Sequence, residues 1–450
     1  MQSKFKDLFY KLKNNSFVSS VFKVGTGQLI AQCMSLISVP ILSRIYSDTA
    51  YGDTALITST ATLLINISLL GLSSAVMNPE SDDESKAVFT TATITNVLIS
   101  TAFTLFYALF MHQKKLFDVS ESYYAALVLM WLYTVTSSFS SLMSTYANRK
   151  GRYNLLFFNP IIGAVLQFAV AVPLGLLGFG FKGFMLTHIC SSVGISIHLL
   201  RYDNPIKKDY SIHDFKAVVK KYKDYILFQY PSNFIGNFGI EYPTQFLGRV
   251  FTTQELGGYS LCCRIMAYPI RLIASPISTV YFKTASEYHR QGKNLADFTY
   301  KMILKILAVS VVPIIVFIFV SEPLFAFVLG EKWRSAGALA AVLIIQYALQ
   351  FCSQTTSYCL VAIEKQQMNL LVTIVRLLLA IISCNVGYKV FGTMAATVYC
   401  YSLGSCIYNI YEMATIFFCL DKKYLARFLP LSAAYTILMY GVVFVHQTVL

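Results

Sequence analysis

The chain has 450 residues, of which 56% are hydrophobic and only 13% charged, with a mean hydropathy of +0.58. A water-soluble domain carries about 25% charged residues, so the composition excludes an ordinary soluble protein and names lipid as the solvent. The formal net charge of +14 falls in the loops between apolar stretches, which removes nucleic-acid binding as its explanation.

Residues 1–21, opening MQSKFKDLFYKLKNNS, read as a basic amphipathic segment lying along the inner membrane surface. No small-residue cleavage site follows, so a cleaved signal peptide is not expected. Apolar spans are predicted near 22–43, 54–77, 87–111, 123–147, 155–178, 183–200, 225–248, 257–282, 302–322, 335–362, 369–388 and 393–420. Each is about 18–28 residues, enough to cross a ~30 Å hydrocarbon core. The stretch within 421–450, ending FLPLSAAYTILMYGVVFVHQTVL, is long enough for a thirteenth span, which would put the C-terminus outside.

With the N-terminus placed in the cytoplasm, 23 Lys and Arg fall in cytoplasmic segments and 8 on the opposite side. That asymmetry obeys the positive-inside rule. The remaining five, Lys23, Arg264, Arg271, Lys305 and Arg376, lie within spans or at their edges.

One corner of the chain is written twice. SRIYSDTAYGDTAL (43–56) matches GRVFTTQELGGYSL (248–261) at an offset of 205, with Arg44 on Arg249, Gly52 on Gly257 and Leu56 on Leu261. The first closes span one and the second closes span seven, so the period is six helices. Six crossings return the chain to its starting side, which makes the halves parallel repeats. The expected organisation is a six-helix lobe at 22–200, a basic cytoplasmic linker at 201–224, a second six-helix lobe at 225–420, and the extra stretch at 421–450. The linker, RYDNPIKKDYSIHDFKAVVKKYKD, reads as a positive-inside connector with a surface helix, and anionic lipid or a cytoplasmic protein is its alternative use.

Ionisable groups inside spans are costly and face partners or wet cavities. Glu241 and Arg264 lie at matching depth, ~10 Å below the outer end of consecutive helices, and Arg376 and Glu412 match similarly near the inner side. Each couple reads as a structural ion pair or as a cation-coupling site. Arg271 sits near the middle of span eight with no acidic residue at its depth in the neighbouring spans. Seven residues from Arg264, it falls on nearly the same helical face, and the two guanidiniums form a cationic track. Lys23, at the inner start of span one, either extends this track or snorkels to the interface. Gln28 and Gln32 share one face of span one, and Gln229, Asn233, Asn237 and Glu241 recur every four residues in span seven. These polar faces are expected to line a wet interior. Pro231, Pro243, Pro269 and Pro276 are expected kinks.

No catalytic motif appears. His188 and His198 fall on different helical faces, and the ten Cys, without a CxxC pair, read as small buried hydrophobes. Neither a metal nor a cofactor is implied.

Three stretches carry a family resemblance: VGTGQLIAQCMSLISVPILSRIYSDTAYG (24–52), TTQELGGYSLCCRIMAYPIRLIASPISTVYFKTASE (252–287) and VLGEKWRSAGALAAVLI (328–344). Through them the chain resembles the polysaccharide and O-antigen flippases of the multidrug/oligosaccharidyl-lipid/polysaccharide superfamily. The resemblance implies an all-α polytopic fold, with two six-helix lobes around a central cationic cavity. It implies export of an undecaprenyl-diphosphate-linked oligosaccharide across a bacterial inner membrane by alternating access, without enzymatic activity. Membrane lipids, a polysaccharide polymerase and a chain-length regulator are the further partners implied. Cations in the family's cavity hold the diphosphate, and Arg264, Arg271 and Lys23 are the matching candidates here. A cation-coupled drug exporter of the same superfamily is the main alternative, but 22–43 holds no Asp or Glu. A polymerase or ligase would need a large outer loop. A major-facilitator transporter would need a basic loop after span two, where this chain has NPESDDESK.

Overall fold

The computed structural model describes residues 16–111, 122–365 and 367–449. The basic segment at 1–15 lies outside them, as do the side chains of 16–23. All regular structure among the described residues is helical. The long helices are α1 (Ser16–Ile45), α2 (Asp48–Ser68), α3 (Asp82–Phe106), α4 (Tyr123–Arg149), α5 (Tyr153–Leu176), α6 (Gly180–Leu200), the short α7 (Ile212–Lys221) and α8 (Tyr230–Val250). There follow α9 (Thr253–Pro269), a π turn (Ile270–Ala274), α10 (Ser275–Arg290), α11 (Leu295–Leu329), α12 (Arg334–Thr356), α13 (Gln367–Phe391), α14 (Met394–Leu420) and α15 (Lys422–Val449).

Hydrocarbon satisfies no backbone group, so a spanning segment must close its hydrogen bonds within itself. Helices do this, and side-chain hydroxyls follow the same rule. Thr58 donates to the Thr54 carbonyl (2.7 Å), Thr134 to Met130 (2.8 Å) and Thr397 to Thr393 (2.8 Å). Helix starts are capped. Thr252 and Glu255 form a reciprocal capping box at α9, and Ser211 and Asp214 form another at α7.

Eleven described helical segments are long and apolar enough to cross a membrane, including the C-terminal Lys422–Gln447. The protein is a multi-pass membrane protein. The twelve expected spans are corrected at two places: α2 and α8 are as long, at 21 residues each, but more polar than the rest. The second span also ends earlier than expected, because the chain reverses at Leu70 and Gly71 with positive φ of 49° and 74°.

The chain divides into two compact units, 1–45 with 60–234 and 46–59 with 235–450. In the first, Leu72, Val88, Phe89, Leu142, Tyr146, Leu199 and Tyr222 pack as one core. The loop after span two and the basic linker belong to this unit and hold each other. Asp83 pairs with Lys207 (3.1 Å), Glu84 accepts from Tyr222 (2.9 Å) and pairs with Lys221, and Asp82 pairs with Lys150. Lys207 also donates to Asp214 (3.0 Å). The acidic NPESDDESK stretch is thus the counter-charge of the linker.

In the second unit, α11, α12, α14 and α15 enclose a core of Ile303, Ile318, Ile345, Leu349, Met413, Phe417, Phe428 and Met439. The repeated corner lies here, and its two copies touch. A Cβ on Gly52 would stand 1.8 Å from the Thr253 carbonyl oxygen, and a Cβ on Gly257 would stand 1.9 Å from that of Asp48. The contact is reciprocal, because both couples are related by the same offset. Gln254 donates to Asp48 (2.8 Å), Lys332 donates to the Tyr46 carbonyl (2.6 Å), and Tyr51 meets Trp333 edge-on at 5.2 Å. Small residues permit such backbone approach between membrane helices.

Two predictions arise. Gly52→Ala and Gly257→Ala should each lower stability by about 1–3 kcal/mol, the usual effect of overpacking. Gly25→Ala, whose Cβ would meet nothing within 4 Å, should not, and thermal unfolding of the purified protein compares the three. The second concerns Asp214, whose carboxyl is pulled from 3.8 down to about 2, first by the Lys207 ammonium and then by the Ser211 amide and hydroxyl. A depressed carboxyl stabilises above its unfolded value, and that contribution is lost as pH falls from about 4 to about 2. Hydrogen exchange at 211–222 should therefore accelerate across that window, and Asp214→Asn should show the faster exchange already at neutral pH.

Candidate functional site

The candidate residues distribute over both units. In the first unit, α1 carries Gln28, exposed, and Gln32, half-buried, on one face. Lys23 lies on the same helix, and its side chain is outside the described residues. Asn233, exposed near the start of α8, falls in the first unit, whereas Asn237 and Glu241 fall in the second.

Within the second unit, Glu241 of α8 and Arg264 of α9 are both half-buried, and Arg264 acts electrostatically on the buried Tyr51 phenol of α2. Arg376 of α13 and Glu412 of α14 are joined through a third residue. Arg376 stacks over the Tyr408 ring, 4.4 Å from its centroid, and donates to the Tyr408 hydroxyl, which in turn donates to Glu412 (2.9 Å). A phenol that accepts from a cation and donates to an anion carries the interaction between them, and each charge keeps a hydrogen bond.

Arg271 sits in the π turn between α9 and α10. The turn is marked by the Ser275 amide, which donates to the Ile270 carbonyl five residues back. Its cause is local. Pro269 and Pro276 have no N–H to donate, so the regular ladder cannot be continued on either side. Single π turns inside α-helices recur at functional sites. Arg271 is exposed and, among the described residues, has no hydrogen-bond, ion-pair or ring partner.

Sequence reasoning passed over several residues that the structure brings to this region. Ser59, Tyr51 and the fully buried Asp53 all lie on α2. The predicted second span began at 54, which left Asp53 in a corner; the helix begins at Asp48 and carries it inward. Tyr408 was missed because an aromatic residue in an apolar span reads as packing, and only its four-residue spacing from Glu412 hints otherwise.

The family described as "Polysaccharide biosynthesis protein" matches residues 41–338. The chain belongs to this family. The match covers the repeated corner, the whole of α8 to α10 and the start of α12. No curated protein matches the chain in sequence. Among solved structures, the lipid II flippase MurJ in an inward closed conformation is 12% identical, with a TM-score of 0.66 over 96% of this chain and 97% of that one. An inward-facing multidrug resistance MATE transporter is 14% identical, with a TM-score of 0.62 over 91% of this chain and 99% of that one. A transporter of the same superfamily from Pyrococcus furiosus, titled for the reverse polarity of its binding pocket, is 15% identical at a TM-score of 0.55, over 91% and 97% of the two chains. At these identities the likeness establishes the fold, which is that of the multidrug/oligosaccharidyl-lipid/polysaccharide superfamily.

The relay through Tyr408 makes a stability prediction. Arg376→Gln leaves the half-buried Glu412 without its cation, and Glu412→Gln does the converse, so each single change should destabilise by about 1–3 kcal/mol. The double change should cost clearly less than their sum, and a thermal-unfolding double-mutant cycle measures the difference.

Proposed function

We propose that this member of the polysaccharide biosynthesis family is a flippase, and that it carries a polyprenyl-diphosphate-linked oligosaccharide from the inner to the outer leaflet of a bacterial inner membrane. The 23-to-8 distribution of basic residues supports a cytoplasmic N-terminus. The observation that carries the reading is Arg271, an unpartnered and exposed guanidinium at mid-span on a π turn. Such a cation is unstable facing hydrocarbon. A guanidinium is permanently charged, and its planar fork matches phosphate oxygens in bidentate fashion. Arg264, seven residues earlier on nearly the same helical face, adds to the positive field. Gln28, Gln32, Asn233 and Asn237 supply hydrogen bonds suited to sugar hydroxyls.

Energetics favour the proposed direction. Moving two negative charges outward is driven by an inside-negative potential and gains ~4–5 kcal/mol per 100 mV. Glu241 and Glu412 are the groups at which a coupled cation would act. A drug exporter of the same superfamily is the competing reading, supported by the buried Asp53 and the half-buried Glu241. Those carboxylates suit a cationic drug, whereas Arg271 suits an anionic substrate.

Arg271→Ala should abolish surface polysaccharide and leave the lipid-linked oligosaccharide accumulated on the inner leaflet, while the protein still inserts at normal abundance. Normal surface polymer in that variant would remove Arg271 from the mechanism. Drug resistance lost together with unchanged polymer would favour the exporter.

A further inference from the structure

The continuous helical stretch from Thr253 to Arg290 is 38 residues long, and below the π turn it has three distinct faces. One face is buried: Ile270, Ala274, Ser278, Tyr281 and Ala285 recur at helical spacing and are at most 9% exposed. This face packs on Leu295, Leu360 and Ile363, and the Tyr281 hydroxyl bonds that of Thr299 (2.8 Å). A second face is apolar and open, with Ile273 at 52% and Val280 at 68% exposure; it suits lipid tails. The third face is open and polar. Arg271, Ser275, Thr279 and Lys283 follow one another every four residues, all exposed, and Arg290 continues the same side. Residues four apart advance only about 40° around a helix, so the four stay within about a third of its circumference. Phe282, in ring contact with Tyr358, flanks them.

The charge of this third face is mainly positive. Between Thr253 and Arg290 the acidic residues are Glu255, in the capping box at the far end, and the half-buried Glu287, four residues on from Lys283 and three before Arg290. Lys283 and Arg290, like Arg271, have no ion-pair or hydrogen-bond partner among the described residues. From Arg271 to Lys283 is about 18 Å of helix. Hydroxyls at Ser275 and Thr279 fill the interval between the two cations. The Thr279 hydroxyl returns its proton to the Ser275 carbonyl (3.3 Å), but a lipid-facing helix has no use for the two cations, which would lie in hydrocarbon unpaired.

We infer that Lys283, Thr279 and Ser275 form a headgroup track, along which the phosphates of an anionic polyprenyl lipid pass from the inner membrane surface to Arg271. The inference rests on the flippase reading and its orientation, which put Arg290 at the inner end, and it assigns the path by which the substrate arrives. Lys283, at the inner end of the span, is the first cation of this face next to the hydroxyls, which carry the phosphate oxygens between it and Arg271. The apolar face alongside leaves room for the tail to remain in lipid while the headgroup advances.

The test uses the full-length protein in nanodiscs with geranylgeranyl diphosphate as probe and inorganic pyrophosphate as the tail-free comparison. Lys283→Gln should weaken binding of the lipid about fivefold, the worth of one basic residue near an anionic surface. Lys283→Arg should restore it, Thr279→Val combined with Ser275→Ala should weaken it by a smaller factor, and Lys305→Gln on α11 should leave it unchanged. Unaltered melting of Lys283→Gln separates a binding effect from a folding one. Lipid binding lost in Arg271→Gln but untouched in Lys283→Gln would overturn the track and leave the flippase reading standing. Failure of the wild-type protein to bind the lipid would overturn both. Pyrophosphate binding as tight as the lipid, with the same dependence on Lys283, would assign the face to free phosphate and overturn the lipid track.

Discussion

A carboxylate, a guanidinium or a hydroxyl inside a bilayer must find its partner within the protein, because hydrocarbon supplies none. Most of the side-chain hydrogen bonding in this chain follows from that constraint. Threonines and serines return their protons to the carbonyl one turn back. Arg376 and Glu412 share Tyr408. Where a polar group within a long apolar helix has no partner among the described residues, as Arg271 has none, the same constraint calls for water or a ligand beside it. The functional assignment is therefore an application of the rule that shapes the fold.

The fold was legible because it depends on patterns averaged over many residues. Span length and helical class are each set by some twenty residues or more, and single exceptions do not disturb them. The C-terminal span was visible for the same reason. The site was legible only in part. Arg271 and Arg264 stood out as charges in apolar text, and depth arithmetic put Arg376 and Glu412 at one level, where Tyr408 stands between them. Depth alone cannot say which way a side chain turns, so the mediating Tyr408 was not foreseeable. Asp53 escaped because a helix start set by Asp48 cannot be located to within six residues from hydropathy. The π turn escaped too: the prolines signal a kink, but not that the ladder is rejoined one residue late.

The linker shows how one charge pattern serves two purposes. Positive residues at 201–224 obey the topological rule, yet Lys207 and Lys221 are also the counter-ions of Asp83 and Glu84. The loop that is acidic, against the positive-inside trend, is acidic because its partner is the most basic segment of the chain. Topological charge and structural charge are read from the same residues here, and only the structure separates them.

The crossing of Gly52 and Gly257 has a consequence for how the corner can vary. A surface patch that touches its own copy reciprocally is what a symmetric homodimer buries, where one residue must satisfy both sides of the contact. Here both copies lie in one chain, so each side can differ. Gln254 donates to Asp48, while the corresponding positions hold Thr49 and Thr253, and the two sides are unlike in chemistry. The glycines are alike, because a backbone approach this close leaves neither copy an alternative.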